Sequence, residues 1–227
     1  MSAVELQVIL LSIKVAVLST ALTLPFAIWL GWISARKTFP LKSVMEALIS
    51  LPLTAPPVVT GYLLLLLLGR HSFLGSAVYE IFGIRLTFSF AALVIASMVV
   101  SLPLSVRSIR AAFELIDPAY EYASQTLGAS KFASFFRVTL PLAIPGVLSG
   151  AVLGFARSLG EFGATITFAG NVAGVTQTLP LAVYSALQVP GEELTATRFV
   201  ICSLVLCFAT LFLSEWSTRR ARHRMES

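Results

Sequence analysis

Apolar residues run along this chain in five long stretches, separated by short segments that hold most of its charge. The stretches lie near Leu6–Ile33, Val44–Leu68, Leu86–Val106, Leu142–Gly163 and Ala196–Trp216. Each reaches the roughly 20 residues that a helix needs to cross the hydrocarbon of a bilayer. A helix that is apolar all round has no water-facing side, so the pattern predicts spans rather than helices on a soluble core. The first stretch follows Glu5 instead of a basic segment and lacks a small-x-small cleavage signature. It is expected to remain as a span. A shorter apolar run, Leu179–Gln188 within the segment Val172–Glu193, cannot span and is expected to form a re-entrant or interfacial helix.

Composition sharpens this picture. Hydrophobic residues make up 57% and charged residues 12%, with a mean hydropathy of +0.89. Soluble domains carry about a quarter charged residues. Residues 1–227 are expected to form a single membrane domain.

The net charge of +5 reads as topology. Arg36, Lys37 and Lys42 follow the first span, and Arg107, Arg110, Lys131 and Arg137 fall around the loop between the third and fourth. Arg219, Arg220, Arg222 and Arg224 follow the last. Positive residues mark the cytoplasmic side, so the N-terminus is expected outside and the C-terminus in the cytoplasm. No basic patch on a soluble surface invites nucleic acid.

Several chemistries are excluded at this stage. None of Lys14, Lys37, Lys42 and Lys131 follows a glycine, so the chain has no P-loop and hydrolyses no nucleotide itself. His71 and His223 lie apart from any carboxylate or cysteine cluster, so no metal site is expected. Cys202 and Cys207 are five residues apart on different sides of a helix and are expected to be buried free thiols. No repeated halves suggest a secondary transporter. The chain is not expected to be an enzyme.

Against this apolar background, Asp117–Pro141 is a polar, capped insert. Asp117 suits an N-cap and Pro118 the first helical position. Ala119, Tyr122, Ala123 and Thr126 share one face, with Glu121 and Gln125 beside it. Gly128 is placed to end that helix in a left-handed conformation. Ser130 is placed to cap a second short helix carrying Phe132, Phe135 and Phe136, and Pro141 to open the next span. Such a hairpin can lie on lipid headgroups. Glu121, with no basic residue near it in sequence, favours a protein partner for the first helix instead, with interface packing left to the second.

Three further features fall inside spans. Pro52, Pro56 and Pro57 interrupt the second, read equally as a bent helix lining a path or as a static packing kink. Gly146, Gly150 and Gly154 form a stripe that admits a close helix, from this chain or from a second copy. Arg157 and Glu161 are four apart and can pair on one helix face. A structural ion pair is one reading, and a positive potential where an anion enters is the other.

The run Tyr122-Ala123-Ser124-x3-Gly128-x9-Val138-x-Leu140-Pro141 resembles the EAA loop of ABC importer permeases. The usual glutamate position holds Tyr122, and Glu121 stands one residue earlier. Leu51–Tyr62, Glu121–Gly128 and Phe155–Ala164 are similar to the molybdate permeases of that family, and the likeness extends over nearly the whole chain. The resemblance implies an all-α type I ABC importer transmembrane fold of about five membrane helices. It further implies a homodimer in the bacterial inner membrane with the path on its two-fold axis. Two cytoplasmic ATPase subunits, carrying ATP-Mg, would dock on the loop through Glu121, Tyr122, Ala123, Ser124, Gly128, Leu140 and Pro141. A periplasmic molybdate-binding protein would deliver the anion, and this chain would bind no cofactor. The alternatives are the same machine for sulfate or tungstate, a non-transporting docking or assembly subunit, and a stand-alone channel.

Overall fold

The computed structural model describes the backbone of residues 3–226, with side chains described over residues 3–210 and at Phe212. Every regular element among the described residues is helical. The longest are α1 (Ala3–Arg36), α5 (Phe90–Leu115) and α11 (Glu193–Glu226); α1 and α11 contain the first and last predicted spans, while the third starts at Phe90, four residues later than the expected Leu86. Trp216, His223 and the tail arginines lie outside the described side chains.

The second span departs from expectation. It forms two helices, α2 (Lys42–Thr54) and α3 (Pro57–Leu68), that meet at 115°. A residue before proline is pushed out of the helical region. Two such residues stand in succession here. Ala55, before Pro56, has φ −71° and ψ 145°, and Pro56, before Pro57, has φ −54° and ψ 132°. Pro57 then opens α3 where its missing N–H costs nothing. Only Pro52 sits inside a helix, so the bent single helix is in fact a break.

A short apolar helix unmarked in the sequence reading follows, α4 (Phe73–Phe82), capped by the Ser72 hydroxyl accepting from the Gly75 N–H at 2.9 Å. After α5 come α6 (Ala119–Thr126) and α7 (Lys131–Ser134). A π turn, Phe135–Thr139, joins α7 without interruption to α8 (Leu140–Leu159). Pro141 therefore does not open the fourth span, which begins ten residues earlier, at Lys131. Proline cannot donate to the carbonyl four residues before it, and the helix widens just upstream, where the Leu140 N–H reaches back to the Phe135 carbonyl. The span also ends sooner than expected, at Leu159, before α9 (Gly163–Phe168). The short apolar run becomes α10 (Leu179–Leu187). Its Leu179 and Ala182 are buried with Val8 of α1 and Phe199 of α11.

Small residues let α1, α5 and α8 pack closely at the centre. Ser12, Ala16, Ser19, Thr23, Ala27, Gly31 and Ser34 form the buried stripe of α1. The Ser19 hydroxyl donates to the Ser158 hydroxyl of α8 at 3.1 Å, and Ser105 of α5 donates to the Gly150 carbonyl at 2.9 Å. Without a hydrophobic drive between helices in lipid, such close backbones and interhelical hydrogen bonds hold a bundle together. The glycine stripe of α8 faces α5 of the same chain. A methyl group on Gly146 would strike Ala112, one on Gly150 would lie 2.8 Å from Ile109, and one on Gly154 2.5 Å from the Ser105 hydroxyl. The ends of α1 and α5 at Arg36 and Leu115 place α6 at one end of this bundle. The α3–α4–α5 connection lies at the other.

Candidate functional site

Local chemistry builds α6 much as its sequence suggests. The Asp117 carboxylate accepts the Ala119 N–H at 2.8 Å. At the other end Gly128 has φ +92°, its N–H donates to the Gln125 carbonyl, and the Ala129 N–H reaches the Ser124 carbonyl at 3.1 Å. Those bonds satisfy the last carbonyls of the helix and turn the chain sharply back. Ala119, Tyr122, Ala123 and Thr126 are exposed, with Ser124 half-buried. Leu127, within the Glu121–Gly128 segment, is 90% exposed. A leucine and a tyrosine standing in water beside a small-residue face suit a protein groove better than solvent.

Glu121 points the other way, into the bundle. Its Oε1 accepts the Thr139 hydroxyl at 2.9 Å and lies 3.3 Å from Arg36 Nε, an ion-pair contact off the hydrogen-bonding direction. Arg36 Nη2 donates to the Ile116 carbonyl at 2.8 Å, and the Ser134 hydroxyl donates to the Glu121 carbonyl at 3.4 Å. One carboxylate thus ties α6 to the end of α1 and to the π turn. Phe135 seats the same junction, its ring 5.5 Å from Trp32 and 6.1 Å from Phe113. Leu140 and Pro141 continue directly from it into α8. Arg36 and Thr139 were not legible as partners of Glu121, because both stand far from it in sequence.

A second structured region lies where α3 packs against α9. A methyl group on Gly61 of α3 would lie 2.6 Å from the Ala164 carbonyl of α9. One on Gly163 would lie 2.7 Å from the Pro57 side chain. Both glycines stand inside the motif segments noted in the sequence, and backbone contact is their shared reason. Pro56 and Pro57 therefore help place α3 against α9, whereas Pro52 stands apart in α2.

Arg157 and Glu161 meet at this crossing, though not on one helix face. Arg157 lies in the last turn of α8, and Glu161 follows the helix end at Gly160. Arg157 Nη1 lies 2.8 Å from Glu161 Oε2, again off the hydrogen-bonding direction, and Glu161 Oε1 accepts the Ala164 N–H at 2.7 Å. Glu161 is 2% exposed, so its charge is held by Arg157 and by the first turn of α9. That occupation leaves Arg157 little free charge for an anion. Among the described residues no group of three or more His, Cys, Asp or Glu could hold a metal. Cys202 and Cys207 are free and half-buried rather than fully buried.

Comparison with known proteins places this geometry. Residues 27–223 match the model of the family described as "binding-protein-dependent transport system inner membrane component". The chain is 51% identical over 221 residues to the molybdenum transport system permease protein ModB of Haemophilus influenzae, covering 97% of this chain and 96% of that one. It is 49% identical over 220 residues to ModB of Escherichia coli K12, with 97% and 96% covered. The sulfate transport system permease protein CysT of Salmonella typhimurium is 35% identical over 198 residues, covering 86% and 71%. Among solved structures, a bacterial alginate ABC transporter in complex with its alginate-bound periplasmic protein superposes with a TM-score of 0.74 at 16% identity, over 97% and 80%. The fold is the type I transmembrane domain, and the chain belongs to the inner-membrane components of binding-protein-dependent transport systems.

Proposed function

We propose that this chain is the permease subunit of a bacterial ABC importer for molybdate. The observation that carries the reading is the outward α6 surface, with Tyr122, Ala123, Thr126 and Leu127 exposed, in a chain about half identical to molybdenum permeases over its length. The more distant sulfate relatives make sulfate the second substrate to test. Two chains form a homodimer with the path between them. Among the described residues α2 buries none of its own in this chain, which leaves its faces free for a second copy. The N-terminus lies outside, and α6 lies in the cytoplasm with the basic loops.

Two copies of a cytoplasmic ATPase, which hold ATP-Mg, receive α6 in their grooves. ATP binding draws the ATPases together and α6 moves with them as a rigid element. The Glu121 junction passes that motion to α1 through Arg36 and to α8 through Thr139. The crossing of α3 and α9, close enough to exclude a methyl group, then shifts as a unit rather than bending. A periplasmic binding protein delivers the anion at the opposite end. Purification of the complex from membranes tests the assembly. Two copies of the chain with two ATPases, and ATP hydrolysis raised by the molybdate-loaded binding protein, are expected. A chain that purifies without any ATPase overturns the reading.

A further inference from the structure

At the end of the bundle away from α6, the connection from α3 through α4 to α5 borders a partly open cavity of about 260 Å³. Arg70, Tyr79, Ile84, Arg85, Thr87 and Phe88 line it. The Arg70 guanidinium lies 5.3 Å from the centre of the Tyr79 ring and that of Arg85 6.0 Å from it. The electron-rich ring draws both cations to one place. No ion pair joins either arginine to a carboxylate among the described residues. Two like charges gathered at one ring repel each other, and an anion between them removes that repulsion.

The surroundings specify the kind of anion. Phe73, Ile81, Phe82, Ile84 and Phe88 on the same connection are all more than half exposed, Phe73 at 86%. Water alone does not favour so many apolar side chains on one short segment. The helix that carries three of them, α4, is apolar and too short to span. An apolar helix beside stacked arginines at a bundle end matches the boundary between lipid tails and headgroups. The wall is also held in an unusual shape. Phe88 has φ +53°, a conformation costly for an aromatic residue, and its N–H donates to the Phe168 carbonyl at 3.2 Å.

We propose that this cavity binds the phosphate of a phospholipid headgroup, with Arg70 and Arg85 on the phosphate oxygens and the lipid chains over Phe73, Ile81 and Phe82. Arginine's planar fork suits a phosphate, and its flat face suits the tyrosine beneath. A free oxyanion shares the phosphate chemistry but leaves the apolar rim unexplained.

Native mass spectrometry of the full chain, in the complex as purified, tests this by titration with dioleoylphosphatidylglycerol. Dioleoylglycerol, which lacks the phosphate, is the control. The R70A/R85A variant is expected to bind the phospholipid about tenfold to thirtyfold more weakly, from the loss of two interfacial cations. The R70K/R85K variant, which keeps charge but not the stacked plane, is expected to fall between. Both arginines are exposed, so unfolding without lipid is expected to be unchanged and to separate a lost site from a lost fold. Equal phospholipid affinity in wild type and R70A/R85A overturns the proposal. So does equal binding of dioleoylglycerol, or displacement of the phospholipid by inorganic phosphate or molybdate alone.

Discussion

Glu121→Ala removes the carboxylate at which α6, α1 and the π turn meet. The Thr139 hydroxyl, fully buried, then loses its acceptor, and Arg36 keeps only the Ile116 carbonyl. A hydrogen bond to a charged acceptor contributes about 1.5–3 kcal/mol. The Arg36 contact at 3.3 Å, with the Glu121 side chain 21% exposed, adds about 1 kcal/mol or less. The expected loss is therefore about 2–3 kcal/mol, most of it in holding α6 against the bundle. Glu121→Gln keeps an acceptor for Thr139 and should lose about half as much. In a double-mutant cycle, Glu121→Gln with Arg36→Met isolates the charge pair at about 1 kcal/mol or less. Stability is read by denaturant unfolding in detergent, and coupling as anion transported per ATP hydrolysed in vesicles. A loosened junction lets hydrolysis continue while transport per ATP falls several-fold, with the ATPase still bound. Unchanged stability and unchanged coupling in Glu121→Ala would refute the junction. Loss of ATPase binding would mean that Glu121 faces the partner instead.

Other predictions follow from the same contacts. Gly61→Ala must open the α3–α9 contact from 2.6 Å to at least the 3.4 Å of ordinary packing, costing about 1–3 kcal/mol. Gly160→Ala meets nothing nearer than 3.9 Å and should be nearly silent, both variants being read by thermal unfolding in detergent. Equal melting temperatures for the two variants would remove the close crossing from the account. Gly128→Asp places a side chain at φ +92° and should uncouple hydrolysis from uptake while leaving membrane insertion intact. Uptake at the wild-type rate would sink the role given to α6. Glu161→Ala leaves the Ala164 N–H without its acceptor and the partly exposed Arg157 without its counter-charge, and should cost about 1–3 kcal/mol. Adding Arg157→Met should restore part of that, and a double variant no more stable than Glu161→Ala would count against the pair.

Much of the fold was legible because bilayer thickness imposes a length that composition reveals. The spans carried by α1, α5 and α11 needed no knowledge of packing, although α5 starts at Phe90 and not at Leu86. The caps of α6 and α7 at Asp117, Gly128 and Ser130 were also readable, since they depend on neighbours within a few residues. What sequence could not give was set by distant partners or by successive local effects. Three prolines read as kinks in one helix, yet two adjacent pre-proline residues at Ala55 and Pro56 compound into a full break. Pro141 read as a helix start, but the π turn carries the helix through it. Arg157 and Glu161 were paired by helical spacing and do meet, for a different reason. The helix has ended, and Glu161 is held by the N–H of Ala164. Glu121 stood in the docking motif, and only the folded bundle turns it inward to Arg36.

The most direct test of the central claim is uptake of labelled molybdate into vesicles holding this chain with its ATPase and binding protein, with sulfate and tungstate as competitors. The account predicts uptake that requires ATP and persists in excess sulfate. Absence of ATP-dependent uptake in vesicles where the complex has assembled would contradict the transport function, and uptake abolished by sulfate would contradict the molybdate assignment.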